Sequence, residues 1–466
     1  MQTTYRTQKV AYWYFAVAAL LFLLQVLDGL VIAAQYIWPD LFVSFFPFNV
    51  GRTFHLNLLV LWLVLGFMGA TYYVVPEETD QELFSPALAY VQLVILTLTG
   101  VAALVGFVAA NFHPSLWLTE GREYIEAPRW ADWLIVLGVG IFAVNNGITI
   151  LRRRRPVTAT VGILSLGLVG LAVMYLFGMK FLSNVTVDQF FWWWVIHLWV
   201  EGSWELIAGA LMAFLMVRLT GVDREVVEKW LYVEVGLVLF TGLVGTGHHY
   251  YWIGTPRYWL LIGGLFSALE PVPIGLMVFD AWRMTRHAAR PHPNRVAWTW
   301  AVGSVITHFL GAGVWGFVHT LPQINKWTHG TQITPAHGHF AFYGAYATLV
   351  IALAYFIIPQ LKEAVAKMNP ARGIAAFWMT TGGVVGMVIA LTVAGIIQVY
   401  LHRMAGLDFM VVKTEYLRFW FVSRLIFGGL AVLGVLLYTW DFLSFGLGTE
   451  PGSAVPRSIP MTTSSE

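Results

Sequence analysis

The chain has no cysteine among its 466 residues. That absence removes disulfides, thiolate metal sites, iron–sulfur clusters and covalently attached c-type haem, which needs Cys-x-x-Cys-His. Charge is scarce as well. Only 11% of residues are Asp, Glu, Lys or Arg, against about 25% in a soluble domain. The formal net charge of +2 supplies no basic surface for a nucleic acid. Apolar residues fill the space: 58% of the chain is hydrophobic and the mean hydropathy is +0.70. Long apolar runs recur from residue 11 to residue 445, which excludes a water-soluble protein and points to a polytopic membrane protein.

A bilayer core needs about 20 apolar residues per helix. The runs predict twelve spans, at 11–37, 51–75, 86–110, 131–151, 157–178, 188–218, 228–252, 257–282, 296–321, 332–360, 373–401 and 416–445. The expected fold is therefore all-α, one transmembrane domain of twelve helices over residues 1–449. The first span is too long for a cleaved leader and reads as a retained anchor. The Ser/Thr/Pro-containing segment 450–466 reads as a disordered cytoplasmic tail. With the N-terminus inside, seventeen Lys and Arg fall in inner segments and nine in outer ones, and Arg424 lies within the last span. The positive-inside rule then favours both termini inside. Arg152 to Arg155 reads as a topological anchor, and Trp192 to Trp194 as part of the outer aromatic belt.

Ionisable side chains inside a membrane are costly and mark function by default. His55, His197, His248, His249, His337 and His339 all fall in the outer half of the expected bundle. His337 and His339 are two apart on one helix, about 200° around its axis. They face opposite sides and cannot easily share a metal, but each can ligate a different haem. His55 can supply a second axial ligand to one of these haems, leaving the other with an open position. Three imidazoles remain, His197, His248 and His249, and three imidazoles suit a first-row transition metal.

The carboxylates narrow the choice of metal. Glu201 and Glu205 follow His197 by four and eight residues, which on a regular helix puts all three on one face. A carboxylate beside three imidazoles suits iron better than copper(I). Glu270 sits mid-span in Ser267-Ala268-Leu269-Glu270-Pro271, where an unpaired acid is expected to be protonated or to work as a proton relay. In the outer loop Gly121-Arg122-Glu123-Tyr124-Ile125-Glu126, Arg122 can pair with haem propionates and Glu123 can help hold a hard cation such as calcium.

Four segments carry a family resemblance: Phe48-Asn49-Val50-Gly51-Arg52-Thr53-Phe54-His55, Trp192-Trp193-Trp194-Val195-Ile196-His197-Leu198-Trp199-Val200-Glu201, Gly245-Thr246-Gly247-His248-His249-Tyr250 and Ala336-His337-Gly338-His339. With twelve spans, this pattern resembles the haem–copper oxidase superfamily, and within it the large subunits of cytochrome c-dependent nitric oxide reductases. The oxidases typically follow the first metal histidine with Pro-Glu-Val-Tyr. Here the fourth residue after His197 is Glu201, which argues against a copper-containing, oxygen-reducing site. The chain begins ten residues before span one, which favours the cytochrome c-dependent type over its quinol-dependent relatives.

The resemblance implies these roles. His55 and His339 ligate a low-spin haem b, His337 ligates a high-spin haem b3, and His197, His248, His249 and Glu201 hold a non-haem iron. Glu205 and Glu270 serve proton supply or site electrostatics. Glu123 is the calcium ligand with Glu126 its neighbour, and Arg122 lies at the haem edge. The implied partners are nitric oxide and a membrane-anchored cytochrome c subunit on the periplasmic face. The implied location is the bacterial inner membrane, with the active site towards the periplasm. Protons are expected from the outer side, although Asp28, Glu234 and Asp280 leave an inner route open. The rival readings are an oxygen-reducing oxidase subunit and, more remotely, a secondary transporter, which has no use for an Ala-His-Gly-His pair between two haems.

Overall fold

A computed structural model describes residues 5–269, 272, 275–277, 279, 280, 283, 294–361 and 369–447. Glu270 and the tail 450–466 lie outside the described residues. Among the described residues the regular elements are helical, with one isolated bridge between Arg122 and Ile125. Among the described residues, eleven helices are long and apolar enough to cross a membrane. They are α1 (Arg6–Ala34), α2 (Phe48–Thr79), α3 (Pro86–Ala110), α4 (Arg129–Leu151), α5 (Ala159–Gly178), α6 (Val185–Thr220), α7 (Arg224–His249), α9 (Arg295–Thr320), α10 (Ile333–Leu361), α11 (Pro370–Met404) and α12 (Arg418–Ser444). The eighth expected span begins as α8 (Arg257–Ser267) and continues through residues described only in part. The architecture is the expected all-α membrane bundle.

The helices differ sharply in how much of their surface the protein covers. In their most apolar windows α10 is 89% buried and α2 and α6 are 78% buried, whereas α4 and α5 are 28% and 33% buried. The three most enclosed helices carry His55, His197, Glu201, Glu205, His337 and His339. Without a strong hydrophobic drive between helices in lipid, such close packing depends on small residues at the crossings. A Cβ on Gly66 of α2 would stand 2.5 Å from Val350 Cγ1 of α10, and one on Gly69 would stand 2.8 Å from Tyr14 Cβ of α1.

Polar contacts set the helix ends. The Asn184 side chain accepts from the Val187 amide at 3.1 Å and starts α6. Where α2 and α6 end and α7 begins, Arg224 donates to Glu78 at 2.7 Å and Arg218 pairs with Glu77, tying α6 and α7 to α2. Wide π-helical turns interrupt α6 at Leu198–Trp204, α9 at Phe309–Trp315 and α10 at Tyr343–Ala347. Such turns cost regular hydrogen bonding and recur at functional sites.

Gly66→Ala should wedge α2 away from α10 at a cost of about 1–3 kcal/mol. A thermal melt of the purified protein should show a lower Tm; an unchanged Tm would mean that this crossing is not close-packed.

Candidate metal and haem centre

The π turn of α6 follows His197 directly and carries Glu201. Glu201 Oε1 lies 3.0 Å from His249 Nε2, and its Oε2 lies 3.2 Å from His248 Nε2 and 3.3 Å from His197 Nδ1. The Nε2 atoms of His248 and His249 are 2.9 Å apart. One ligand-capable atom from each of the four residues falls within 4.8 Å of all the others. His197 is fully buried, yet neither of its ring nitrogens has a hydrogen-bond partner.

These observations fit a metal. Metal–imidazole bonds of about 2.0–2.1 Å place neighbouring ligand atoms roughly 3 Å apart, the spacing found here. An orphaned, fully buried imidazole has no other evident partner. His248 Nδ1 pairs with Ser267 Oγ of α8, which leaves Nε2 for the cluster, the outer-shell arrangement typical of metal-bound histidine.

Two adjacent histidines reach one point because the end of α7 tightens into a 3-10 turn, Thr246–His249. That turn lies backbone to backbone on α8. A Cβ on Gly247 would collide with the Trp259 carbonyl, and one on Gly263 with the His248 amide. The Trp193 ring stacks on His249 with centroids 5.4 Å apart and planes at 9°. Trp192 is buried under the Arg122 guanidinium, 4.2 Å away. The aromatic-belt expectation for these tryptophans is thus corrected: consecutive helical residues point about 100° apart, so three in a row cannot all face lipid.

Glu205 does not join the cluster. The wide turn redirects it, so that Oε1 accepts from the Tyr346 hydroxyl at 2.9 Å and Oε2 stands 3.4 Å from His308 Nε2. The expectation from regular helical spacing holds for His197 and Glu201 and fails at Glu205.

The two histidines of α10 face opposite ways, as their spacing predicts. His339 faces His55, with ring centroids 6.2 Å apart. That gap accommodates one metal between two imidazoles, each nitrogen about 2 Å from it. His339 Nδ1 donates to the Pro335 carbonyl at 2.7 Å and His55 Nδ1 meets Asp28 Oδ2 at 3.2 Å, leaving both Nε2 atoms as ligands. Gln25 also approaches His55 Nε2, at 3.4 Å. His337 turns to the other side, towards His319 and Gly316 of α9. A Cβ on Gly316 would stand 3.2 Å from His337 Cε1, so glycine keeps the space beside that ring open.

The outer loop folds over this end of the bundle. Arg122 donates to both Asp188 oxygens at 2.9 and 3.0 Å and to the carbonyls of Gly178 and Lys180. Its donors thus clamp the loop to the start of α6 and the end of α5. Glu123 pairs with Arg52. Glu126 is buried and accepts from the Asn57 amide at 2.8 Å; burial pushes its carboxyl above the ordinary value, and the Asn57 bond only partly offsets this. Sequence reasoning left out Ser267, Gln25 and Tyr346 and gave His308 no role. Their side chains carry no spacing signal, because their partners come from other helices.

The chain matches the family model described as cytochrome c and quinol oxidase polypeptide I over residues 9–430. It is 43% identical to a nitric oxide reductase subunit of Stutzerimonas stutzeri over 457 residues, covering 95% of this chain and 96% of that relative. A cytochrome c oxidase subunit 1 homolog of Azorhizobium caulinodans is 25% identical over 453 residues, covering 89% of this chain and 78% of the relative. In fold, the chain is similar to a haem–copper terminal oxidase solved by cryo-electron microscopy. The TM-score is 0.72 at 15% identity, covering 97% of this chain and 85% of the other.

Two variants test the geometry. Loss of an outer-shell partner alone weakens metal binding about 10- to 100-fold, so Glu201→Ala should lower non-haem metal affinity by at least that much. Elemental analysis checks it, with an unchanged Soret band as control; wild-type metal content would remove Glu201 from the ligand set. Asp28→Asn makes His55 a poorer donor, and if a haem is held there its midpoint potential should rise by on the order of tens of millivolts. A redox titration finding no shift would rule out that influence.

Proposed function

The chain belongs to the cytochrome c and quinol oxidase polypeptide I family, and within it we propose the catalytic subunit of a nitric oxide reductase. Two nitric oxide molecules, two electrons and two protons give nitrous oxide and water. The observation that carries this reading is Glu201, a carboxylate set among three imidazoles where the oxygen-reducing relatives favour a softer copper site.

His55 and His339 would hold a low-spin haem b, His337 a high-spin haem b3, and His197, His248, His249 and Glu201 a non-haem iron. When bound, these groups supply the electrons and the Lewis-acid positions at which two weakly ligating diatomics meet. The protein's own share follows from the contacts described above. Ser267, Asp28 and the Pro335 carbonyl fix which imidazole nitrogen points inward. Trp193, stacked on His249, covers one side of the cluster and keeps water from it. Glu205, steadied by Tyr346, turns its other carboxylate oxygen to His308, where it can hold and release a proton. Glu270 carries the same role by resemblance only.

The lack of cysteine means that haem c must come from elsewhere, and a relative that is itself one subunit of a reductase implies an assembly of several chains. We assign that role to a membrane-anchored cytochrome c subunit on the periplasmic face. Charge asymmetry favours an inner-membrane protein with both termini inside and the site towards the periplasm. Calcium at Glu123 is supported by two acids, Glu123 and Glu126, flanking the single Arg52. Arg122, with its donors committed to protein acceptors, is better placed to hold the loop than to reach a propionate.

Purified complex should contain three irons and no copper per catalytic subunit, beyond the iron of the cytochrome partner. Under anaerobic nitric oxide it should release one nitrous oxide per two molecules consumed. Stoichiometric copper, with oxygen consumption and no nitrous oxide, would contradict this function.

A further inference from the structure

Trp199, Trp204 and Tyr175 take no part in holding the metals, yet with Tyr346 they form an unbroken line of rings. The line runs from Tyr346 on α10 through Trp204 and Trp199 on α6 to Tyr175 on α5. Ring centroids are 5.2 Å apart from Tyr346 to Trp204, 5.2 Å from Trp204 to Trp199 and 6.4 Å from Trp199 to Tyr175. Those separations are contacts between packed aromatic pairs. One end of the line adjoins the metal cluster. The Tyr346 hydroxyl lies 3.2 Å from the carbonyl of Val200, the residue before Glu201, and 2.9 Å from Glu205 Oε1. Trp199 and Trp204 follow His197 on the same helix, within about 10 Å along its axis.

The hydrogen-bond partners change along the line. Trp204 is fully buried and its Nε1 has no hydrogen-bond partner. Trp199 Nε1 donates to the Leu171 carbonyl at 3.1 Å, an acceptor too weakly basic to take a proton. Tyr175 differs: its hydroxyl donates to Asp132 Oδ1 at 2.8 Å. Asp132 is fully buried near the start of α4, where a carboxylate is costly. Its Oδ2 has no hydrogen-bond partner and lies 3.6 Å from Arg129, which also pairs with Glu120 at 2.8 Å. An oxidised indole with no base beside it keeps its proton and passes the vacancy on. An oxidised phenol that can hand its proton to a carboxylate keeps the vacancy. Tyr175 therefore ends the line. It stands one turn from Gly178, whose carbonyl the Arg122 side chain holds.

We propose that Tyr346, Trp204, Trp199 and Tyr175 form an electron relay that discharges the metal centre when hydrogen peroxide, rather than nitric oxide, oxidises it. Peroxide takes two electrons from the centre and two protons from the medium, its O–O bond breaks, and it leaves as two waters. The relay returns one of those electrons. Tyr175 gives an electron through the rings to the centre and its phenolic proton to Asp132, leaving a neutral tyrosyl radical. A one-electron reductant such as ascorbate then restores Tyr175, and Asp132 gives the proton back. The vacancy comes to rest on a residue that no metal needs, away from the imidazoles that bind one. The relay depends on the haem-and-iron part of the reading above and not on nitric oxide as the substrate.

The test mixes the complete complex, as isolated, with hydrogen peroxide and freezes it within seconds. Electron paramagnetic resonance should show a narrow radical signal that is absent without peroxide. Its ring-proton splitting should collapse in protein made with ring-deuterated tyrosine. Tyr175→Phe keeps the ring but has no O–H to lose, and it should abolish the signal. Asp132→Asn cannot take the proton and should abolish it too, although Tyr175 is still present; a purely packing role for Asp132 would leave the signal intact. Trp199→Leu, which breaks the line, should do the same. Peptide mapping after peroxide should find more oxidation at His197, His248 and His249 in Tyr175→Phe than in the wild type. Soret band and metal content before peroxide verify that each variant is assembled. A wild-type complex with intact metals and no tyrosyl signal, or an undiminished signal in assembled Tyr175→Phe, would overturn the relay. Nitrous oxide formation on the same preparations scores the reductase reading separately, because the peroxide reaction needs no nitric oxide.

Discussion

Four donor atoms from His197, Glu201, His248 and His249 converge in a space a few ångströms across, in a chain only 11% of whose residues are charged. Imidazole lone pairs and a carboxylate repel one another at that distance in a low dielectric. A bound cation turns this repulsion into attraction and satisfies nitrogens that otherwise have no partner. Much of the surrounding architecture serves to hold those donors in place: the fixed tautomers, the stacked Trp193 ring and the glycines that let α7 and α8 touch.

The placement of these donors depends on helices that protein covers on nearly every side. Helices α2, α6 and α10 are the most enclosed, and between them they carry His55, His197, His337, His339, Glu201 and Glu205. Their interruptions matter as much as their regularity. The π turn in α6 lets His197 and Glu201 reach the same point while sending Glu205 away to Tyr346 and His308. Glu201 and Glu205 thus sit one turn apart on one helix and meet different neighbours.

Much of this was readable from the chain because membrane helices obey simple rules. Hydropathy alone places the spans, since the bilayer fixes their length. The opposed faces of His337 and His339 follow from a two-residue offset on a helix, and the observed partners, His319 and His55, lie on opposite sides. What spacing could not supply came from other helices. Nothing near Arg122 in sequence announces Asp188 as its partner, and nothing near Glu205 announces His308. The Trp192 to Trp194 run misled because a compositional rule about membrane interfaces was applied to a helix that turns two of its three rings inward. A π turn is likewise invisible to a periodicity that assumes 3.6 residues per turn.

The central claim is that iron sits among His197, Glu201, His248 and His249. Anomalous diffraction from crystals of the complete complex, collected on either side of the iron and copper absorption edges, tests it most directly. The account predicts a peak among those four side chains that appears above the iron edge and does not change across the copper edge. A peak that responds to the copper edge, or no peak at all beside a fully ordered His248 and His249, would contradict it.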